Sequence, residues 1–337
     1  MNPLSELLSK INIKNNGAIL IGDNISCDGF DYDRTFGIIS HFHGDHIREF
    51  EDSIATFEKI YVTPETKKLL IAIKGNWLNY RKNLVDIPYL TQTQCNEESI
   101  IFYPAEHCLG SAQTFIELED SNILYSGDIS CDALPYKTDI LIVEAAYGSP
   151  NMVRTYTKED AIAEFVSKVE LELATGPVSI LANRGTLQEA MSILHSSDLG
   201  VPFLFHKNIT KVSEVYRRHG IDVGDYLEIG KEEAEEIMRI RQPHLAFYPL
   251  GSHIFSPDQY VKISLSGWDT ISPITTKISN KEYIVALFNH CDFKELKDYV
   301  QQCNPKIVAV DSSRCGNADI FARNIKRKLG IKAYALP

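Results

Sequence analysis

This chain of 337 residues predicts an α/β protein, on three observations. The first 150 residues are dominated by short runs of strand length. After Tyr147-Gly148-Ser149-Pro150 the texture changes to alternating apolar runs and helical periods, the signature of a parallel sheet layered with helices. Polar clusters rich in histidine and aspartate fall where several of the predicted strands end.

Gly17-Ala18-Ile19-Leu20-Ile21 reads as a strand, followed by an acidic turn at Gly22-Asp23-Asn24. Phe36-Gly37-Ile38-Ile39 is a short buried strand, with Ser40 to His46 as the loop leaving its end. Ile60-Tyr61-Val62 is the next strand, and Thr63 then caps a helix with Pro64 in its first position. Ser99 to Tyr103, Thr114 to Leu118, Asn122 to Ser126 and Asp139 to Glu144 complete the strand-rich part. Beyond it, Lys158 to Ala174 is helical, Val178 to Leu181 a buried strand and Gly185 to His195 helical again. Val201 to Phe205, a helix around Lys211 to Arg218 and an acidic helix at Glu232-Glu233-Ala234-Glu235-Glu236 follow. The pattern breaks near Ser266-Gly267-Trp268. A last stretch from Glu282 holds a helix over Phe293 to Gln302, a strand over Ile307 to Val310 and a helix over Ala318 to Leu329.

With 44% hydrophobic and 23% charged residues and no low-complexity tract, the composition is that of a soluble globular chain. No run of 18 apolar residues exists, so no membrane span is expected. Met1-Asn2-Pro3-Leu4-Ser5-Glu6 lacks a basic region followed by an apolar core, and the seven cysteines are scattered and odd in number. Both features predict reduced thiols and an intracellular setting, cytoplasmic, or nuclear in a eukaryote. The net charge of −11 excludes coating of nucleic acid by bulk electrostatics, though not an enzyme with a local basic track. One candidate track runs from Arg314 to Pro337, where six Lys/Arg face a single acid, Asp319. A solvated helix face explains the same run.

His41-Phe42-His43-Gly44-Asp45-His46 holds four potential metal ligands in six residues. A strand end fixes the backbone, and alternate residues then turn His41 and His43 toward one point, with Asp45 and His46 facing a second. Neutral imidazoles and a carboxylate suit zinc or a similar divalent ion, and the density of ligands suggests two ions. Further ligands are expected at other strand ends: His107, just past the strand ending at Tyr103, and Asp128, after Tyr125-Ser126-Gly127. A carboxylate at Asp128 can bridge two ions. The bland alternative is a polar loop with coincidental histidines.

These segments resemble the metal motifs of the metallo-β-lactamase fold: His41-x-His43-x-Asp45-His46, His107 with its Leu-Gly-Ser-Ala-Gln tail, and Gly127-Asp128. Later segments resemble its nucleic-acid-processing branch, the β-CASP nucleases. They are Ile142-Val143-Glu144-Ala145-Ala146-Tyr147-Gly148, Gly185-Thr186-Leu187-Gln188-Glu189 and Phe288-Asn289-His290-Cys291-Asp292-Phe293. Ser266-Gly267-Trp268 is similar to a segment of ligase-associated exonucleases and Artemis-like nucleases. The resemblance runs from about residue 17 to the C-terminus.

The resemblance implies a four-layer αβ/βα sandwich built from residues 1–150 and 271–337, with a β-CASP cap inserted over 151–270. One zinc would be held by His41, His43, His107 and Asp128, and a second by Asp45, His46, Asp128 and one further ligand. A hydroxide between them would attack the phosphodiester. Asp28 would orient a ligand histidine, or alternatively form only a turn. Glu144 and His290 would pair, with His290 protonating the leaving 3′-oxygen; a buried structural histidine is the competing reading for His290.

The sequence departs from the pattern in three places. Pro305-Lys306-Ile307-Val308-Ala309-Val310-Asp311-Ser312-Ser313 lacks the histidine that completes the second metal site in RNA-processing members, leaving Asp311 as a candidate oxygen ligand. DNA-directed Artemis-like members also lack that histidine. Asn289 stands where an acid or alanine is commoner, and Thr186 where a basic residue is usual, with Arg184 nearby to supply the charge. The function expected is thus a zinc-dependent nuclease on DNA or RNA, exonuclease favoured. An RNA 3′-end processing endo- or exoribonuclease is the runner-up, and a non-catalytic scaffold is the alternative of another class. Small-molecule hydrolysis is disfavoured, since it needs neither the cap nor the Glu144/His290 pair. Nucleic acid is the expected partner, with a protein partner or homo-oligomer also anticipated.

Overall fold

The computed structural model describes residues 3–252, 255–267, 273–314 and 316–337. They form two compact units: Met1–Val153 together with Asn289–Pro337, and Arg154–Phe288.

In the first unit, α1 (Pro3–Leu8) leads into a sheet of β1 (Ile11–Ile13), β2 (Ile19–Ile21), β3 (Ile25–Cys27), β4 (Phe36–Ile38), β5 (Lys59–Val62) and β6 (Leu84–Asp86). The six strands lie side by side in chain order, parallel from β3 onward. Parallel pairing requires crossovers, supplied by α2 (Phe50–Thr56) and α3 (Pro64–Lys74). As predicted, Thr63 caps α3: its hydroxyl accepts from Thr66 N at 3.1 Å, and Pro64 occupies the first turn, where no N–H is needed. A second sheet begins with β7 (Thr93–Cys95), β8 (Glu98–Pro104), β9 (Ala112–Glu117), β10 (Asn122–Tyr125) and β11 (Ile140–Val143).

The second unit interposes α4 (Lys158–Leu173), β12 (Val178–Ala182), α5 (Thr186–Ser196), β13 (Phe203–Phe205), α6 (Lys207–Arg218), β14 (Tyr226–Glu228) and α7 (Glu232–Ile240). β15 (Leu245–Pro249), β16 (Val261–Leu265), β17 (Thr275–Lys277) and β18 (Glu282–Val285) follow. Its sheet has the order β14-β13-β15-β12-β16-β18-β17, parallel except for β17. The sequence reading ended this segment at 270; the structure carries it to Phe288, because β18 pairs in parallel with β16 and brings β17 with it. Trp268 lies outside the described residues.

The chain then returns to the first unit as α8 (Phe293–Cys303), β19 (Ile307–Asp311), α9 (Ala318–Leu329) and β20 (Lys332–Leu336). These strands complete the second sheet in the order β20-β19-β11-β10-β9-β8-β7. β11 is an unbroken apolar run because both of its faces are buried. Ile140 and Ile142 face a core shared with Ile38, Tyr61 and Phe102, while Leu141 and Val143 face Phe293, Leu296, Phe321 and Ile325 of α8 and α9. With α2 and α3 against the outer strands β5 and β6, this unit is the predicted four-layer αβ/βα sandwich. No helix among the described residues is long and apolar enough to cross a membrane. Cys27, Cys95, Cys108 and Cys303 are free thiols.

Candidate metal centre

β4 is fully buried, and the chain leaves its end as Ser40 to His46. The first support of this loop is Asp28, held at a φ of +51° just after β3; aspartate tolerates this left-handed conformation better than most residues. One oxygen of its buried carboxylate accepts from Ser40 N at 2.7 Å. The other accepts from Ser40 Oγ at 2.5 Å, from Tyr125 Oη at 2.7 Å and from His46 Nδ1 at 2.8 Å. Burial would raise the Asp28 pKa, but the His46, Arg314 and Ser40 contacts hold it below the ordinary value. It is therefore a carboxylate, and His46 Nδ1 must be the donor.

The same reasoning fixes two more rings. His107 Nδ1 lies 2.9 Å from the carbonyl of Asn289, which can only accept. His41 Nδ1 lies 3.0 Å from Ser40 Oγ, whose own proton is already given to Asp28. In all three rings the outer nitrogen holds a proton and Nε2 turns inward, the arrangement that prepares imidazole to bind a cation. The inward atoms converge on one carboxylate oxygen. Asp128 Oδ2 is 3.4 Å from His46 Nε2, 3.6 Å from His41 Nε2, 3.7 Å from His107 Nε2 and 3.9 Å from His290 Nε2. His43 Nδ1 stands 3.1 Å from His107 Nε2. The donor atoms of His41, His43, His107 and Asp128 all lie within 4.8 Å of one another, and those of Asp128, Glu144 and His290 form a second such group. Ligands at 2.0–2.1 Å around a tetrahedral zinc sit about 3.3 Å apart, so the spacing fits.

The electrostatics agree with the geometry. Burial keeps His41 and His107 well below the usual imidazole pKa, hence neutral and able to donate a lone pair. His46 is pushed down by burial but raised to about 10 by Asp128 and Asp28 on either side, so these carboxylates demand a positive charge between them. His41 Nε2 and His46 Nε2 are buried without any hydrogen-bond partner. An uncompensated buried nitrogen costs stability unless something completes it, and bound divalent ions would complete both.

On the rim, Glu144 follows β11 and accepts from Ile129 N at 2.8 Å. His290 Nδ1 lies 3.0 Å from Glu144 Oε2 and 3.1 Å from Oε1. Burial pushes the His290 pKa down, and the Glu144 carboxylate more than reverses this, to about 9. The His290 side chain keeps 18% exposure, so it is both in contact with Asp128 and reachable from solvent. Asp45 is half-exposed, with Oδ2 at 3.5 Å from His46 Nε2.

Asp311 is not with this group. Its Oδ1 accepts from Ser313 N and Oγ, and its Oδ2 accepts from Arg314 Nη1 at 2.7 Å, so an arginine occupies the carboxylate read as a metal ligand. Arg314 also donates to the carbonyls of Gly17 and Asp28, tying the end of β19 to the Asp28 turn. Sequence reasoning missed Arg314, Ser40 and Tyr125; only Tyr125, the last residue of a strand leading to Gly127-Asp128, carried a local signal. The Asn289 departure concerns a side chain, whereas His107 is met by that residue's backbone carbonyl.

The His107 loop is held by its own tail. Ser111 Oγ accepts from His107 N and Cys108 N, and the Gly110 carbonyl accepts from Thr63 and Thr66 at the start of α3. Gly110 has φ +80°, and a Cβ there would lie 2.7 Å from both Glu65 Cβ and Thr66 N. Gly110→Ala is expected to cost about 2–4 kcal/mol, from left-handed strain plus overpacking. Urea unfolding of the variant measures it; a midpoint equal to that of the parent chain would contradict this packing.

No family model matches the chain. It is 30% identical over 139 residues, covering 40% of this chain and 99% of the relative, to an "Uncharacterized protein in lig 3'region" of Acidianus ambivalens. To an "RNase J-like protein" of Methanocaldococcus jannaschii it is 36% identical over 135 residues, covering 34% of this chain and 32% of that protein. This chain therefore spans only about a third of the RNase J-like relative. A crystal structure of a protein of unknown function from Enterococcus faecalis V583 superposes with a TM-score of 0.60, at 15% identity, over 84% of this chain and 76% of that one. At that identity the likeness is one of fold alone.

Proposed function

The chain belongs to the metallo-β-lactamase-fold β-CASP family, and from that premise we propose that it is a zinc-dependent nuclease, with exonuclease action favoured. The observation that carries the reading is the convergence of three buried, tautomer-fixed Nε2 atoms on Asp128 beside the Glu144–His290 pair. We assign His41, His43, His107 and Asp128 to one ion, and Asp45, His46 and Asp128 to a second. Asp311 is assigned to neither ion, since Ser313 and Arg314 engage its carboxylate. Residues 154–288 would be the inserted cap.

Bound zinc supplies an acidified water and Lewis-acid stabilisation of phosphoryl charge. This chain's residues do the rest. Asp28 holds His46 in one orientation, and the Asn289 carbonyl does the same for His107. Glu144 keeps a proton on His290, whose Nε2 faces Asp128 and can deliver that proton to a leaving 3′-oxygen. A hydrolase of small molecules has no need of such an acid placed on the rim.

End-labelled single-stranded DNA and RNA of matched sequence, incubated with zinc, test this. The parent chain should degrade at least one polymer from an end, and His43→Ala should leave both intact. Absence of cleavage of either polymer, with zinc shown to be bound, would reject the enzyme reading in favour of a scaffold.

A further inference from the structure

The basic run near the C-terminus is only partly a surface feature. Arg314 is turned inward to Asp311, Gly17 and Asp28. The remaining five cations, Arg323, Lys326, Arg327, Lys328 and Lys332, are all exposed. None of them forms an ion pair with a described residue, in a chain whose net charge is −11. Arg323, Lys326 and Arg327 follow an i, i+3, i+4 spacing and so share one face of α9. Cations in the last turn of a helix complement its dipole, which accounts for Lys326 to Lys328 but not for Arg323 or for Lys332 on β20. Lys332 and Tyr334 share the side of β20 turned away from α9, since Ala333 and Ala335 pack into the core with Phe321 and Ile325.

This surface has a fixed relation to the metal cluster. Asn317, at the start of α9, donates to the carbonyl of Ala146, two residues after Glu144. α9 then runs away from that point for about 18 Å at 1.5 Å per residue. β20 pairs in parallel with β19, Lys332 opposite Ile307 and Leu336 opposite Asp311, so Lys332 lies toward the sheet end remote from Glu144. The cations thus begin part-way down α9 and lead away from the cluster.

We propose that α9 forms a docking surface for the backbone of single-stranded nucleic acid, with Arg323, Lys326, Arg327 and Lys328 on phosphates. The inference rests on the nuclease reading. Cations spaced along a track, in a chain that is acidic overall, suit sequence-tolerant binding to a phosphate backbone. The contacts lie outside the catalytic cluster, so they strengthen the hold on long strands without touching the chemistry.

The test compares the parent chain with Arg323→Ala/Lys326→Ala/Arg327→Ala. Binding to labelled strands of about three and about twenty nucleotides is followed by anisotropy in chelator, and cleavage is followed with zinc. On the long strand the variant should bind about tenfold more weakly at low salt, with KM raised and kcat kept. Its slope of log K against log salt should fall by about 2, at roughly 0.7 per lost phosphate contact. The short strand should bind and react as before. The charge-retaining variant Arg323→Lys/Lys326→Arg/Arg327→Lys should behave as the parent chain. Unchanged affinity and slope on the long strand would overturn the proposal, as would failure of the charge-retaining variant or equal binding of polyglutamate in place of nucleic acid. If the parent chain binds the long strand through these residues but cuts nothing, the surface stands and the nuclease reading falls.

Discussion

Asp128→Ala is expected to abolish cleavage, by on the order of 10³-fold or more, and to remove the zinc-induced rise in thermal stability. Four imidazole nitrogens lie within 3.9 Å of the single oxygen Asp128 Oδ2, which makes it the hub of the cluster. Those imidazoles, His46 foremost, hold the Asp128 pKa well below the ordinary carboxylate value against the effect of burial. Its charge is present at neutral pH for a cation to meet. Removing it leaves His41, His43 and His107 with no anionic ligand, and His46 and Asp45 with no bridge to them. A ligand at a thousandfold excess over its dissociation constant stabilises the folded state by about 4 kcal/mol, and this increment is what the variant should lose. Metal content measured alongside melting with and without zinc decides the matter. A variant that keeps parental zinc content and the parental zinc-induced shift would show that Asp128 is not a ligand.

The fold and the first half of the site were legible because both depend on local signals. The periodicity over Ala318–Leu329 places α9 to the residue, and Thr63-Pro64 places the start of α3. His41 to His46 announces itself because a short buried strand must end, and four donors crowd the turn that follows. Other features depend on partners far away along the chain. The pairing of His290 with Glu144 joins residues 146 apart, and it came only from resemblance to a family. Arg314 sat in a basic run and was counted as surface charge, although its partners, Gly17 and Asp28, are 297 and 286 residues distant. Asp311 looked like an oxygen ligand at a strand end; the arginine three residues on takes it instead. β15 and β16, flanking the central strand of the second unit's sheet, escape the sequence reading because a five-residue apolar run bounded by turn residues carries no periodicity that separates strand from helix.

Glu144→Gln and His290→Asn are each expected to lower kcat by about 10²–10³-fold while leaving zinc content unchanged, the signature of a lost proton donor rather than a lost ligand. Glutamine keeps the shape of Glu144 and can still accept from Ile129 N, but it removes the charge that raises the His290 pKa to about 9. The sign follows from the role. His290 serves as an acid only while protonated, so the rate should fall as pH rises through its pKa. In Glu144→Gln burial is opposed by Asp128 without the larger Glu144 contribution, and the alkaline limb of the kcat profile should move to lower pH. In His290→Asn the same limb should vanish, and combining the two substitutions should cost little more than either one, because the residues act as a unit. A phosphodiester whose leaving group is an activated phenol needs no proton, so both variants should recover most of their rate on it. Equal losses on the activated and ordinary substrates, with an unmoved pH profile, would reassign His290 to a structural role beside the cluster.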